Sequence, residues 1–199
     1  MLKTLMVVLL SVYKTFTVLL RYYQEMALSV SNPPLNKIEN LIATWFGCGL
    51  MKPAPGTWGS LGAVPFAFLI FGISGFWGFI ATIIIMTPIG FWATAKYEAS
   101  SGIHDNKQIV IDEVVGQWIA FIPVFYVTST LEYGMGLMPL GISIVLAFIL
   151  FRIFDITKPW PISHFDKNVK GATGVMVDDI IAGLFAAIII SGGLYARYS

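Results

Sequence analysis

Apolar residues along this chain gather in long runs, at roughly 60–73, 76–95, 114–131, 136–154 and 180–196. A helix that crosses the hydrocarbon core needs about 20 apolar residues, with a lower limit near 17, and the second to fifth runs lie near or above that limit. The first, SLGAVPFAFLIFGI, is shorter and contains Pro65. It is expected as a tilted, half-inserted or partly buried helix closed by Gly72 and Gly75. No run alternates with the period of a membrane β-barrel strand. Backbone polar groups in lipid need partners within the chain, so the pattern predicts an all-α polytopic bundle of about four to six membrane-embedded helices.

The polar residues concentrate in three stretches, 32–59, 96–113 and 155–179. Two apolar segments separate each stretch from the next, so if every segment crosses, all three stretches return to the same face. The links Ser74-Gly75 and Glu132 to Met135 are then tight turns on the opposite face. Lys37, Lys52, Lys96, Lys107, Arg152, Lys158, Lys167 and Lys170 lie on the three-stretch face, against Arg197 alone on the other. That asymmetry places the polar face in the cytoplasm.

Composition agrees. Of 199 residues 57% are hydrophobic and 12% charged, with a mean hydropathy of +0.79. The charge content is about half that of a soluble domain. A net charge of +1 gives no field suited to nucleic acid. The single Cys48 excludes an intramolecular disulfide and a cysteine-built metal site. One membrane domain is expected over 33–199, preceded by a segment 1–32. The first 25 residues are apolar but interrupted by Lys14 and Arg21, with no small-x-small cleavage site. An interfacial amphipathic helix and an extra span both fit them, and the spaced cations with Tyr13, Tyr22 and Tyr23 favour the former.

The chemistry lies in the polar stretches. The first reads ATWFGCGLMKPAPGTWGSLGA, whose prolines and glycines are expected to delay a regular helix until about Ser60. A glycine-rich turn feeding a helix N-terminus suits a phosphate, which makes Gly56, Thr57, Gly59 and Ser60 candidate substrate contacts. On this segment alone, helix capping is the plainer reading. It is not a Walker loop, because Lys52 precedes the glycines. The second stretch carries Glu98, His104, Asp105, Asp112 and Glu113, the last two opening an apolar segment where a helix dipole favours acids. The third carries Asp155, Asp166, Asp178 and Asp179. Asp155 stands three residues from both Arg152 and Lys158, the spacing of a local ion pair. Gly183, one turn beyond Asp179, suits close packing of a neighbouring helix.

Singly, each acid has such a local explanation. Together they bring acids from three helix ends to one face beside a glycine-rich segment and lysines. Carboxylates without sulfur ligands suit a hard cation such as Mg²⁺, bound partly through a substrate phosphate, and the combination describes metal-assisted phosphoryl chemistry. A transporter or ion-coupled carrier is the main rival, since intramembrane carboxylates mark ion paths. It predicts acids at helix centres in an inverted repeat, neither of which is visible. The spaced DGxxAR signature of a CDP-alcohol phosphotransferase is missing, and a membrane assembly protein leaves the glycine-rich segment without a purpose.

The stretches FGCGLMKPAPGTWGSLGAVPF, HDNKQIVIDEVVGQWIAF and FRIFDITKPWPISHFDKNVKGATGVMVDDIIAG resemble, in order, the motifs of the phosphatidylglycerophosphatase A family. The likeness runs from about Trp45 to Gly183, and its FDxxKPWPI and DDxxAG runs are long and unusual. It implies a membrane lipid phosphatase of the bacterial cytoplasmic (inner) membrane that hydrolyses phosphatidylglycerophosphate to phosphatidylglycerol and inorganic phosphate, with Mg²⁺. It carries the family's acidic positions onto Asp105, Asp112, Glu113, Asp155, Asp166, Asp178 and Asp179. Ala172-Thr173 replaces a more glycine-rich turn, and residues 1–32 inherit nothing. On this basis Asp112, Glu113, Asp155, Asp178 and Asp179 include the metal ligands. Lys158 with Gly56 to Ser60 holds the phosphate, a water or an Asp attacks phosphorus, and His104 or Asp105 protonates the leaving alcohol.

Overall fold

The computed structural model describes residues 33–131 and 137–198. The expected N-terminal helix and the expected turn from Glu132 to Met135 lie outside the described residues. Every element described is helical: α1 (Ile38–Ala43), a 3-10 turn (Cys48–Leu50), α2 (Pro55–Ser101), α3 (Ile111–Thr130), α4 (Leu137–Thr157), α5 (Ile162–Asn168) and α6 (Gly171–Tyr198). Four of these, α2, α3, α4 and α6, are long and apolar enough to cross a membrane.

α2 is two helices in succession. Gly75 breaks it with φ 68° and ψ −169°, a backbone state that a residue with a Cβ rarely adopts. Phe68 and Phe71 of the first limb and Phe79 of the second all pack on Phe125 of α3, at centroid distances of 5.6, 4.3 and 4.9 Å. The Trp118 indole donates to the Ala63 carbonyl at 2.9 Å and lies against Phe79 as well. The two limbs therefore run back along the same helix as a hairpin, with the reversal expected at Ser74-Gly75 made at one glycine.

α3 is the centre of the bundle. Its Val114, Val115, Trp118, Ala120, Phe121, Val124 and Phe125 are buried on several sides, so between its acidic first turn and its exposed end it is apolar on most faces, Gln117 excepted, as an enclosed helix is. Against it α6 packs at backbone distance. A Cβ at Gly116 would stand 2.6 Å from the Asp179 carbonyl oxygen, and one at Gly183 would collide with the Gly116 carbonyl. The close packing expected at Gly183 is thus with α3. Outward faces stay apolar: Ile73, Trp77, Ile84, Val145, Ile149 and Ile188 are exposed, as the lipid-facing side of a membrane bundle requires.

One expectation is corrected. Regular helix begins at Pro55, not near Ser60. Proline is well suited to the first helical turn, where its missing N–H has no partner to lose. The glycines that suggested a loop serve contact instead: a Cβ at Gly59 would press into Val110, and one at Gly62 into Cys48 and Trp45.

Candidate active site

At one end of the bundle the helix termini meet around a cavity of about 240 Å³. Its lining comes from the start of α2 (Ala54 to Gly56), the α2–α3 loop (Asp105 to Lys107, Ile109), the first turn of α3 (Asp112, Glu113), the last turns of α4 (Arg152, Asp155), Lys158, and the second turn of α6 (Val175, Asp178, Asp179). Three polar stretches far apart in the chain thus close on one space.

The deepest part is acidic. Oxygen atoms of Asp112, Glu113 and Asp179 lie within 4.8 Å of one another, and Asp112 and Asp179 are only 8% and 3% exposed. Oδ1 of Asp112 and Oε2 of Glu113 are buried with no hydrogen-bond partner among the described residues. A buried carboxylate oxygen without a partner is costly, and three carboxylates side by side repel. An all-oxygen donor set of this kind fits a hard divalent cation.

Two cations flank the acids. Arg152 Nη1 pairs with Asp155 Oδ2 at 2.7 Å and donates to the Ser60 hydroxyl at 3.3 Å. Ser60 is fully buried and itself donates to the Gly56 carbonyl at 3.0 Å. A Cβ at Gly56 would run into Glu113 Oε1 and reach 3.3 Å from Arg152 Nη1. The absent side chain at Gly56 therefore admits the Glu113 carboxylate and the guanidinium. On the other side, Lys158 Nζ bonds Asp166 Oδ1 at 2.5 Å and Asp178 Oδ2 at 2.6 Å. Burial pulls this ammonium down, but its bonds to Asp166 and Asp178 outweigh that and hold it above the ordinary lysine range. The local pairing expected around Asp155 thus forms with Arg152 alone, and Lys158 reaches across to α5 and α6.

Of the residues singled out in the sequence, Gly56, Asp105, Asp112, Glu113, Asp155, Lys158, Asp178 and Asp179 line the cavity. Thr57, Gly59, Ser60, His104 and Asp166 are outside its lining. His104 points away, its side chain 90% exposed and 3.9 Å from Glu98. Ser60 and Asp166 act from behind, through Arg152 and Lys158. Sequence reasoning missed Arg152, Asn106 and Lys107 as lining residues. A guanidinium inside the apolar LAFILFRIFDI run was a usable signal for Arg152, because a cation at that depth needs a partner.

Long apolar helices around a buried α3, with carboxylates and cations closing one end, define a helical membrane protein with a polar site at one face. The phosphatidylglycerophosphatase A family profile matches residues 41–193. The chain belongs to that family, one of phosphoric monoester hydrolases. It is 35% identical over 164 residues to phosphatidylglycerophosphatase A of Haemophilus influenzae, covering 80% of this chain and 93% of the relative. It is likewise 35% identical to phosphatidylglycerophosphatase A of Escherichia coli, covering 82% and 84%. A Bacteroides thetaiotaomicron protein provisionally named a phosphatidylinositol-3-phosphatase is 37% identical over 155 residues, covering 76% and 90%. No solved structure matches the chain.

Proposed function

We propose that this protein removes the terminal phosphate of phosphatidylglycerophosphate, releasing phosphatidylglycerol and inorganic phosphate, with Mg²⁺, at the cytoplasmic face of a bacterial inner membrane. The observation that carries the reading is the trio Asp112, Glu113 and Asp179, gathered within 4.8 Å with two buried, unpartnered oxygens. Membership of the phosphatidylglycerophosphatase A family supports the substrate. The excess of lysine and arginine on the site's face supports the orientation.

Asp112, Glu113 and Asp179 would hold the cation, and Asp155 and Asp178, already paired with Arg152 and Lys158, stand beside them. A divalent ion bound there supplies charge stabilisation at the phosphoryl oxygens and lowers the pKa of a bound water. The remaining work falls to the chain's own groups. Arg152 and Lys158 offset the charge of the phosphate among so many acids, and Asp105 at the cavity lining relays a proton to the departing alcohol. Water oxygen bonds to phosphorus as the bond to the glycerol oxygen breaks. The water's proton balances the one taken up by the alcohol.

The test is phosphate release from phosphatidylglycerophosphate in detergent micelles, with Mg²⁺ and with chelator. Wild type is expected to release phosphate only with the metal, and Asp178→Asn and Asp179→Asn to lose at least a hundredfold. Full activity in chelator would overturn the metal assignment. An inert wild type in the presence of Mg²⁺ would overturn the substrate.

A further inference from the structure

Three cationic side chains line the cavity: Lys107, Arg152 and Lys158. Two are engaged with the protein's own carboxylates, Arg152 with Asp155 and Lys158 with Asp166 and Asp178. Lys107 is different. It is exposed, and no ion pair among the described residues includes it.

The position of Lys107 is nevertheless fixed, because the loop that carries it is anchored on both sides. The Asp105 amide donates to Oε1 of Glu98, a buried acid at the end of α2, at 2.8 Å. The amides of Gln108 and Ile109 close on Asn106, at 3.1 Å to Oδ1 and 2.8 Å to the carbonyl. Oε1 of Gln108 accepts from the buried Tyr97 hydroxyl at 2.6 Å, and the Val110 amide bonds the Ala43 carbonyl at 2.8 Å. Glu98 and Tyr97 are thus buried in the service of this loop. The result is a rigid rim bearing one uncommitted positive charge.

This matters because the substrate proposed above, on which the inference rests, carries two phosphates. The terminal monoester belongs at the acidic end of the cavity. The second, the diester joining the head group to diacylglycerol, remains an anion beside a cluster of five carboxylates and needs a countercharge of its own. We propose that Lys107 binds this diester, so that the site selects lipid phosphomonoesters that also carry a phosphodiester over those, such as phosphatidic acid, that do not. A lysine suits this role, since a point charge on a flexible stem accepts a diester in several orientations.

The test compares wild type with Lys107→Ala and Lys107→Arg in mixed micelles containing Mg²⁺. Three quantities are read: KM and kcat on phosphatidylglycerophosphate, kcat/KM on phosphatidic acid, and inhibition by phosphatidylglycerol, which carries the diester alone. Lys107→Ala is expected to raise KM about tenfold, the size of one charge-assisted contact, with kcat within about twofold. Phosphatidylglycerol inhibition weakens by a similar factor, the loss does not extend to phosphatidic acid, and Lys107→Arg restores wild-type behaviour. Unmoved product inhibition, or equal losses on both lipids, in an active enzyme would overturn this inference alone. A wild type inert toward phosphatidylglycerophosphate would overturn it together with the reading it rests on.

Discussion

Arg152 and Ser60, 92 positions apart in sequence, meet behind the acidic cluster, with Nη1 3.3 Å from Oγ. Through this contact the last turns of α4 are tied to the first turns of α2, and the same guanidinium restrains Asp155. Neither side chain of the Arg152–Asp155 pair is more than 15% exposed, so its loss differs from the loss of a surface pair. Removing one partner of a buried pair typically costs about 3 kcal/mol or more. Arg152→Gln is expected to lower thermal stability in detergent by roughly that amount. The double variant Arg152→Gln, Asp155→Asn should be destabilised by less than the sum of the single losses. Strict additivity would show that the pair does not act as a unit.

Asp179→Asn should separate stability from function. Asp112, Glu113 and Asp179 repel one another when no cation is bound, and neutralising one relieves that repulsion. The variant is expected to melt at a higher temperature than wild type in chelator, by about 1 kcal/mol in stability. It should also lose the Mg²⁺-dependent rise in melting temperature that linkage predicts for wild type if the trio holds the cation as proposed. A melting curve with and without Mg²⁺ reads both effects without an activity assay.

Glycine substitutions provide a graded series. Gly72→Ala, with nothing within 4 Å of the new Cβ, should be neutral or stabilising by up to about 1 kcal/mol, the helix-propensity gain. Gly56→Ala gains the same propensity but drives Glu113 and Arg152 out of place, so activity should fall at least tenfold while the fold survives. Gly183→Ala sets a Cβ against the Gly116 carbonyl, where backbone cannot yield, and should destabilise by about 2 kcal/mol or more. Phosphate release and thermal unfolding across the three distinguish these cases.

Cys48 is buried, and burial pushes its thiol up to about 12, against a smaller opposing backbone hydrogen bond. The thiolate is the reactive form, so the folded protein should resist alkylation by iodoacetamide at about pH 8, and resist it until the pH nears the shifted value. Denatured protein, with an ordinary thiol, should react within minutes. Mass spectrometry of the two samples makes the comparison.

The all-helical class was legible because lipid leaves a chain few alternatives, and runs such as 76–95 and 180–196 state it outright. Topological parity also anticipated that residues near 56, 112, 155 and 179 would share one end of the bundle. Two things stayed hidden. The glycines at 56, 59 and 62 suggested a loop because their conformational freedom is visible in sequence, whereas the bulky partners that require them, such as Glu113 and Val110, lie far along the chain. The pairing of Lys158 was concealed for a related reason. Local spacing offered it Asp155, but the chain turns after α4 and delivers Asp166 and Asp178. A long-range contact leaves no trace in local spacing.

The contact of Gly116 with Gly183 and the Asp179 carbonyl has an evolutionary corollary. Because main chain rests on main chain there, with the Phe151 ring alongside, the gap between the α3 acids and Asp179 is gauged largely by the thickness of a peptide. A Cβ at either glycine presses on main chain of the other helix, so a replacement there pushes two helices apart instead of widening the acidic floor by a small step. If Lys107 reads the lipid as proposed, the short loop of Asp105, Asn106 and Lys107 at the perimeter is where one exchange changes that reading and leaves the floor as it was.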